Sequence, residues 1–89
     1  MHKLGTHLHL ELWECPASSL NDLATIRTAL LMAAKHAKCE VMNEAFHRFS
    51  PQGVSGILLL AESHLSIHTW PELGYAALDV VNKVTPADI

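Results

Sequence analysis

The sequence predicts an α+β fold, a largely antiparallel sheet with one covering helix. Three observations carry that prediction. Five segments carry strand signatures, most alternating apolar and polar residues with a period of two, and one stretch repeats its apolar residues every three or four positions. Short turn-forming segments separate the last four strands, which favours antiparallel neighbours in the order β-α-β-β-β.

Leu4 to Trp13 sets Leu4, Thr6, Leu8, Leu10 and Leu12 against Gly5, His7, His9, Glu11 and Trp13, a strand with one buried face. Pro16 ends it. Ser18, Ser19 and Asn21 offer N-caps to a helix of roughly 17 residues, whose stripe is Leu23, Ile26, Leu30, Ala33 and Ala37. Lys35, His36 and Lys38 fall in its last turn, where cations suit the helix dipole. Cys39 to Phe49 alternates again, with Val41, Asn43, Ala45, His47 and Phe49 on one side and Met42, Glu44, Phe46 and Arg48 on the other. Ser50 to Gly53 is turn chemistry, and Val54 to Leu60 is a short apolar strand. After a tight connection at 61–63, His64 to Trp70 forms the fourth strand. Pro71 to Gly74 turns the chain into the fifth, Tyr75 to Val81.

A length of 89 residues predicts one domain, 1–89, burying only roughly 60–65% of its unfolded surface. An apolar fraction of 49% with 17% charged residues excludes a disordered tail. No apolar run approaches the roughly 18–20 residues of a membrane span. Six Lys and Arg scattered through a chain of net charge −3 exclude a nucleic-acid partner, which demands a basic stripe. The start has no apolar signal-peptide core, and Cys15 and Cys39 are too few for a disulfide scaffold; both point to the cytoplasm. One helix cannot cover a five-stranded sheet, so an apolar face is left over and a homodimer or higher homo-oligomer is expected.

Seven histidines raise the question of a metal. His64 and His68, four apart on a strand, lie roughly 13 Å from each other and cannot share an ion, whereas His7 and His9 project side by side at about 7 Å with no evident third ligand. The sequence therefore predicts no metal site. Cys15 and Cys39 carry no nucleophile signature. Phe49 reads equally as a core aromatic or as a ring for stacking a planar ligand. Ser63, preceded by Glu62 in a turn between two apolar strands, reads either as a turn residue or as a hydroxyl placed to attack its own upstream carbonyl.

Residues 61–72, AlaGluSerHisLeuSerIleHisThrTrpProGlu, followed by GlyTyrAlaAlaLeuAsp at 74–79, resemble the processing-site signature of the prokaryotic S-adenosylmethionine decarboxylases. The likeness extends to PheHisArgPheSerPro (46–51), GlyValSerGly (53–56), LeuGlyThrHisLeu near the start and Glu14-Cys15, covering nearly everything from Leu4 to Val81. It implies a two-layer sandwich and a pyruvoyl-dependent proenzyme that feeds spermidine synthesis with S-adenosylmethionine as substrate. Ser63 would attack the Glu62 carbonyl, splitting the chain into residues 1–62 (β chain) and 63–89 (α chain), the latter headed by a pyruvoyl group. The resemblance makes His68 the base, brought over the turn by strand pairing, and Ser55 the supporting hydroxyl. It makes Phe49 the ring that stacks on adenine and Glu72 the carboxylate for the ribose hydroxyls. A sulfonium beside aromatic faces gains about 0.5–2 kcal/mol.

The resemblance breaks after Asp79. Where the family reads Thr-Cys-Gly, this chain reads Asn82, Lys83, Val84, so Lys83 stands at the position of the family's proton-donating cysteine and predicts altered protonation. The family's further C-terminal segment has no counterpart after Ile89, which predicts a truncated sandwich. These departures keep two alternatives open: a related pyruvoyl-dependent decarboxylase of the arginine type, and a non-decarboxylating homologue that acts as a partner subunit.

Overall fold

The computed structural model describes residues 5–83, and side chains from 6 to 82. Five strands, β1 (Gly5–Leu12), β2 (Val41–Arg48), β3 (Val54–Leu60), β4 (Ser63–Trp70) and β5 (Tyr75–Lys83), form one antiparallel sheet in the order β1-β5-β4-β3-β2. The three hairpins in sequence build β2 through β5. The chain's first strand closes the sheet on the outer side of β5, and the α+β architecture read from the sequence is the one observed.

The helical segment is two pieces, α1 (Ala17–Leu20) and α2 (Leu23–His36), rather than one. Pro16 and Asp22, not Ser18, Ser19 and Asn21, occupy the N-cap positions, and Asp22 Oδ2 accepts from Thr25 Oγ1 at 2.6 Å. Asn21 is drawn away by a tertiary contact: its Oδ1 accepts from the Gly53 backbone N–H at 2.9 Å. The buried stripe of α2 is Ile26, Leu30 and Ala34. Ala33 and Ala37, expected in that stripe, instead border a groove beside the helix. The shift follows from where α2 sits, over β2 and β3, so its flank toward β4, β5 and β1 meets open space.

The core is Leu20, Ile26, Leu30 and Ala34 packed on Val54, Leu58, Leu65, Ile67 and Ala76. Thr69 is the buried polar residue within it. Its Oγ1 donates to the Leu20 carbonyl and accepts from the Val54 N–H, both at 2.8 Å, tying α1 to β3 and β4. Gly56 is required where Phe46 crosses it, since a Cβ there would overlap the Phe46 ring. On the outer strand β1, Leu8, Leu10 and Leu12 point to the helical side beyond the reach of α2 and stay about half exposed, at 52%, 44% and 46%. β2 starts two residues later than the alternation suggested and is irregular between Val41 and Asn43, and β5 runs two residues past Val81. Among the described residues, no helix is long and apolar enough to cross a membrane.

Candidate active site

Alternation along each strand assigns the faces. Val54, Leu58, Leu65, Ile67 and Thr69 point toward α1 and α2, so Ser55, Ile57, Leu59, His64, Ser66, His68 and Trp70 point to the opposite, open face. On that face Ser55 lies directly across from His68, and Ser55 Oγ is hydrogen-bonded to His68 Nδ1 at 2.8 Å. The pair is accessible to solvent, at one end of the sheet.

The neighbouring loops bring two more of the expected residues to this end. The Phe49 N–H donates to Gly53 O at 2.8 Å, and Arg48 Nε donates to Asn21 O at 3.1 Å. Gly53 holds φ at 108°, a value that favours glycine, and this closes the loop that presents Phe49. Glu72 rides on a short 3-10 turn (Pro71–Leu73) that ends at Gly74 with φ 62°. The Gly74 carbonyl accepts from Cys15 N–H at 2.9 Å, and a Cβ at Gly74 would lie 3.2 Å from the Cys15 carbonyl oxygen, so close approach fixes the turn against the end of β1. Phe49, Ser55, His68, Trp70 and Glu72 line one recess of about 370 Å³. Trp70 is the member the sequence reading passed over. Its position two residues after His68 on the same strand was the available signal, because residues two apart share a face.

Aromatic rings continue from the recess across the sheet end. Trp70 and Tyr75 have centroids 5.2 Å apart, Tyr75 and Trp13 4.4 Å, and His47 meets the edge of Phe49 at 4.6 Å. Tyr75 Oη donates to Glu11 Oε1 at 2.8 Å, and that carboxylate raises the phenol's pKa. Deeper on the open face, His7 Nε2 and His9 Nδ1 both meet Asp79 Oδ1, at 2.8 and 2.9 Å. The Asp79 hydrogen bond raises the His9 pKa, while His9 and His7 lower that of Asp79. Among the described residues, no group of three or more His, Cys, Asp and Glu side chains is arranged to hold a metal ion.

Glu62 and Ser63 are elsewhere. Ala61 and Glu62 form the turn of the β3–β4 hairpin, with Leu60 opposite Ser63. Ser63, first residue of β4, points to the helical side and lies across from Asn82 of β5. Ser63 and His68 are five residues apart on one strand, hence roughly 17 Å along it and on opposite faces. The expectation that strand pairing carries His68 over the turn fails for that reason: pairing fixes His68 beside Ser55, at the far end of the hairpin. Lys83 ends β5 opposite Gly5, and its side chain lies outside the described residues.

Residues 6–88 match the family model described as S-adenosylmethionine decarboxylase. The chain belongs to the S-adenosylmethionine decarboxylase family. It is 58% identical over 77 residues to an S-adenosylmethionine decarboxylase proenzyme of Prochlorococcus marinus, an alignment covering 86% of this chain and 62% of the relative. It is 50% identical over 91 residues to the proenzyme of Acetivibrio thermocellus, covering 99% and 73%. The crystal structure of the adenosylmethionine decarboxylase from Aquifex aeolicus superposes with a TM-score of 0.84 at 36% identity, covering 96% of this chain and 70% of that one. The chain thus spans about three fifths of the length of the Prochlorococcus relative and about seven tenths of that solved chain.

Proposed function

We propose that this chain is a self-cleaving, pyruvoyl-dependent S-adenosylmethionine decarboxylase proenzyme of the cytoplasm that feeds spermidine biosynthesis. One observation carries the reading: the Ser55–His68 hydrogen bond sits in a recess bordered by the rings of Phe49 and Trp70 and the Glu72 carboxylate. An imidazole with a hydroxyl on one nitrogen suits proton abstraction. If Nδ1–H donates to Ser55 Oγ, the tautomer is fixed and Nε2 is free to take a proton. The rings suit adenine and a sulfonium, and the carboxylate suits ribose hydroxyls.

Ser63 fits the origin of a pyruvoyl group, because it directly follows an exposed turn where new chain ends can separate. Its Oγ attacks the Glu62 carbonyl carbon. The C–N bond breaks as the C–O bond forms, and the hydroxyl proton passes to the Ser63 nitrogen. Loss of the Ser63 Cα proton then drives the Cα–Cβ double bond and expels Oγ on Glu62 as a carboxylate, leaving chains 1–62 and 63–89. Tautomerisation of the new N-terminus, addition of water and loss of ammonia complete the group, which when present supplies a carbonyl electron sink for decarboxylation.

His68 of a second copy is the base for that proton, since His68 of the same chain is roughly 17 Å away along β4. A symmetric face-to-face pairing has its two-fold axis in the interface plane. Of the axes along and across the strands, only the one across them brings the Ser63 end of one copy over the His68 end of the other, and it lays each strand, β4 included, over its own counterpart. Each homodimer then holds two composite sites. The open face, with Ile57, Leu59 and Val81 among its histidines, supplies apolar area for the contact.

Mixing Ser63→Ala chains with His68→Gln chains tests this reading. Neither variant cleaves alone, and the mixture restores cleavage of the His68→Gln chain; a mixture as inert as its parts contradicts the composite site. Release of labelled CO2 from S-adenosylmethionine and from arginine, measured side by side, decides the substrate. Turnover of arginine alone would replace the reading with the arginine-type enzyme, and cleavage without any decarboxylation would replace it with the non-decarboxylating homologue.

A further inference from the structure

On the helical side, the surface that α2 leaves open is apolar along most of its length. β1 contributes Leu8, Leu10 and Leu12, β5 contributes Leu78 and Val80, and β4 contributes Leu65 and Ile67. At the end nearest the hairpin turn this changes within one row. Ser63 of β4 pairs with Asn82 of β5, and Asn82 pairs with Thr6 of β1. Ser63 and Asn82 border the same groove. A serine, an amide and a threonine thus stand in one transverse row beside the Glu62–Ser63 bond, with Thr6 and Asn82 exposed to solvent.

Directly opposed residues of an antiparallel pair have Cβ atoms roughly 4.5–5.5 Å apart. The two side chains are not bonded to each other in this structure, and a turn about their side-chain torsions brings a hydroxyl on one and a carboxamide on the other within reach of a hydrogen bond of about 2.7–2.8 Å. We propose that Asn82 is a positioning residue for self-cleavage: its Oδ1 accepts the Ser63 hydroxyl hydrogen and holds Oγ in the rotamer that faces the Glu62 carbonyl carbon. This deepens the self-cleavage reading and rests on it. Asn82 takes no proton, because a carboxamide is not a base at neutral pH. It lowers the entropy of attack by fixing one side-chain torsion, while the proton still passes from Oγ to the departing Ser63 nitrogen as the C–N bond breaks and the C–O bond forms.

The test follows chain scission by mass spectrometry after in vitro synthesis, with and without hydroxylamine, which cuts the ester to a Glu62 hydroxamate and a free Ser63 amine. Asn82→Leu keeps the volume and removes the acceptor, and scission should slow on the order of tenfold, the worth of one lost hydrogen bond, with no rescue by hydroxylamine because ester formation itself is slowed. Asn82→Asp keeps an acceptor in the same place and should cleave within about threefold of the wild type. Asn82 is exposed at the end of β5, and Asn82→Ala serves as a second loss variant if the leucine disturbs folding. Circular dichroism melting reports the fold separately. Wild-type rates in the leucine and alanine variants, rescue by hydroxylamine, or an aspartate variant as slow as the leucine one would each overturn the proposal. A wild-type chain that never cleaves would instead remove the self-cleavage reading itself.

Discussion

Ser55 and His68 are hydrogen-bonded partners because the turn at the other end of their hairpin is two residues long. Ala61 and Glu62 set Leu60 opposite Ser63, and each rung outward follows until Ser55 meets His68 at 2.8 Å. The Glu62–Ser63 bond, proposed as the cleavage site, and the Ser55–His68 pair, proposed to assist, therefore lie at opposite ends of one hairpin.

Substituting that pair should affect chemistry far more than folding, because both side chains lie on the open face outside the core. His68→Gln should abolish scission, and Ser55→Ala should slow it by roughly 10–100-fold, with melting temperatures near that of the parent. Gel or mass analysis of freshly synthesised chains reads the rate. Full-rate cleavage in His68→Gln would remove the residue from the mechanism.

Thr69→Val removes the hydroxyl that links the Leu20 carbonyl to the Val54 N–H and leaves both backbone groups without that partner. The expected cost is about 1–3 kcal/mol, read as a lower urea midpoint with an unchanged slope. An unaltered midpoint would mean that α1 is not anchored through this residue.

Gly56→Ala forces a methyl group into the Phe46 ring. Overpacking of this kind costs typically ~1–3 kcal/mol, and the double variant Gly56→Ala with Phe46→Leu should recover part of it. Equal stability of the single variant and the parent in urea would contradict the packing.

The His9–Asp79 contact makes a pH prediction. The folded-state pKa of His9 lies above its ordinary 6.5, so its contribution is fully present below that value and is lost as pH rises through the raised one. Asp79 lies below its ordinary 3.8, so its contribution holds above that value and is lost as pH falls through the lowered one. The contact is therefore strongest between about pH 4 and 6.5. An NMR titration should show the His9 midpoint falling in Asp79→Asn, and an unmoved midpoint would dispose of the contact.

The strands were legible because four alternate and Val54–Leu60 is a short apolar run, and all five lie within two residues of the segments read from the sequence, β1 among the described residues. The helix was less so. The spacing of Ala33 and Ala37 fits a stripe as well as Ala34 does, and only the placement of α2 over β2 and β3 decides which alanine is buried. Asn21 looked like a cap because its chemistry suits one, but Gly53, 32 residues away, competes for the same oxygen. The family motif named Ser55, His68, Phe49, Glu72 and Ser63 without their separation. The parity of positions 63 and 68 already placed them on opposite faces, and the two-residue turn already fixed the register, yet their separation of roughly 17 Å is plain only when both are put on one sheet.

The intact mass of the purified protein tests the central claim most directly. The account predicts two species, residues 1–62 ending in a free carboxylate at Glu62 and residues 63–89 carrying a pyruvoyl group in place of Ser63, with Ser63→Ala remaining whole. A wild-type sample that stays a single chain of 9.8 kDa would contradict it.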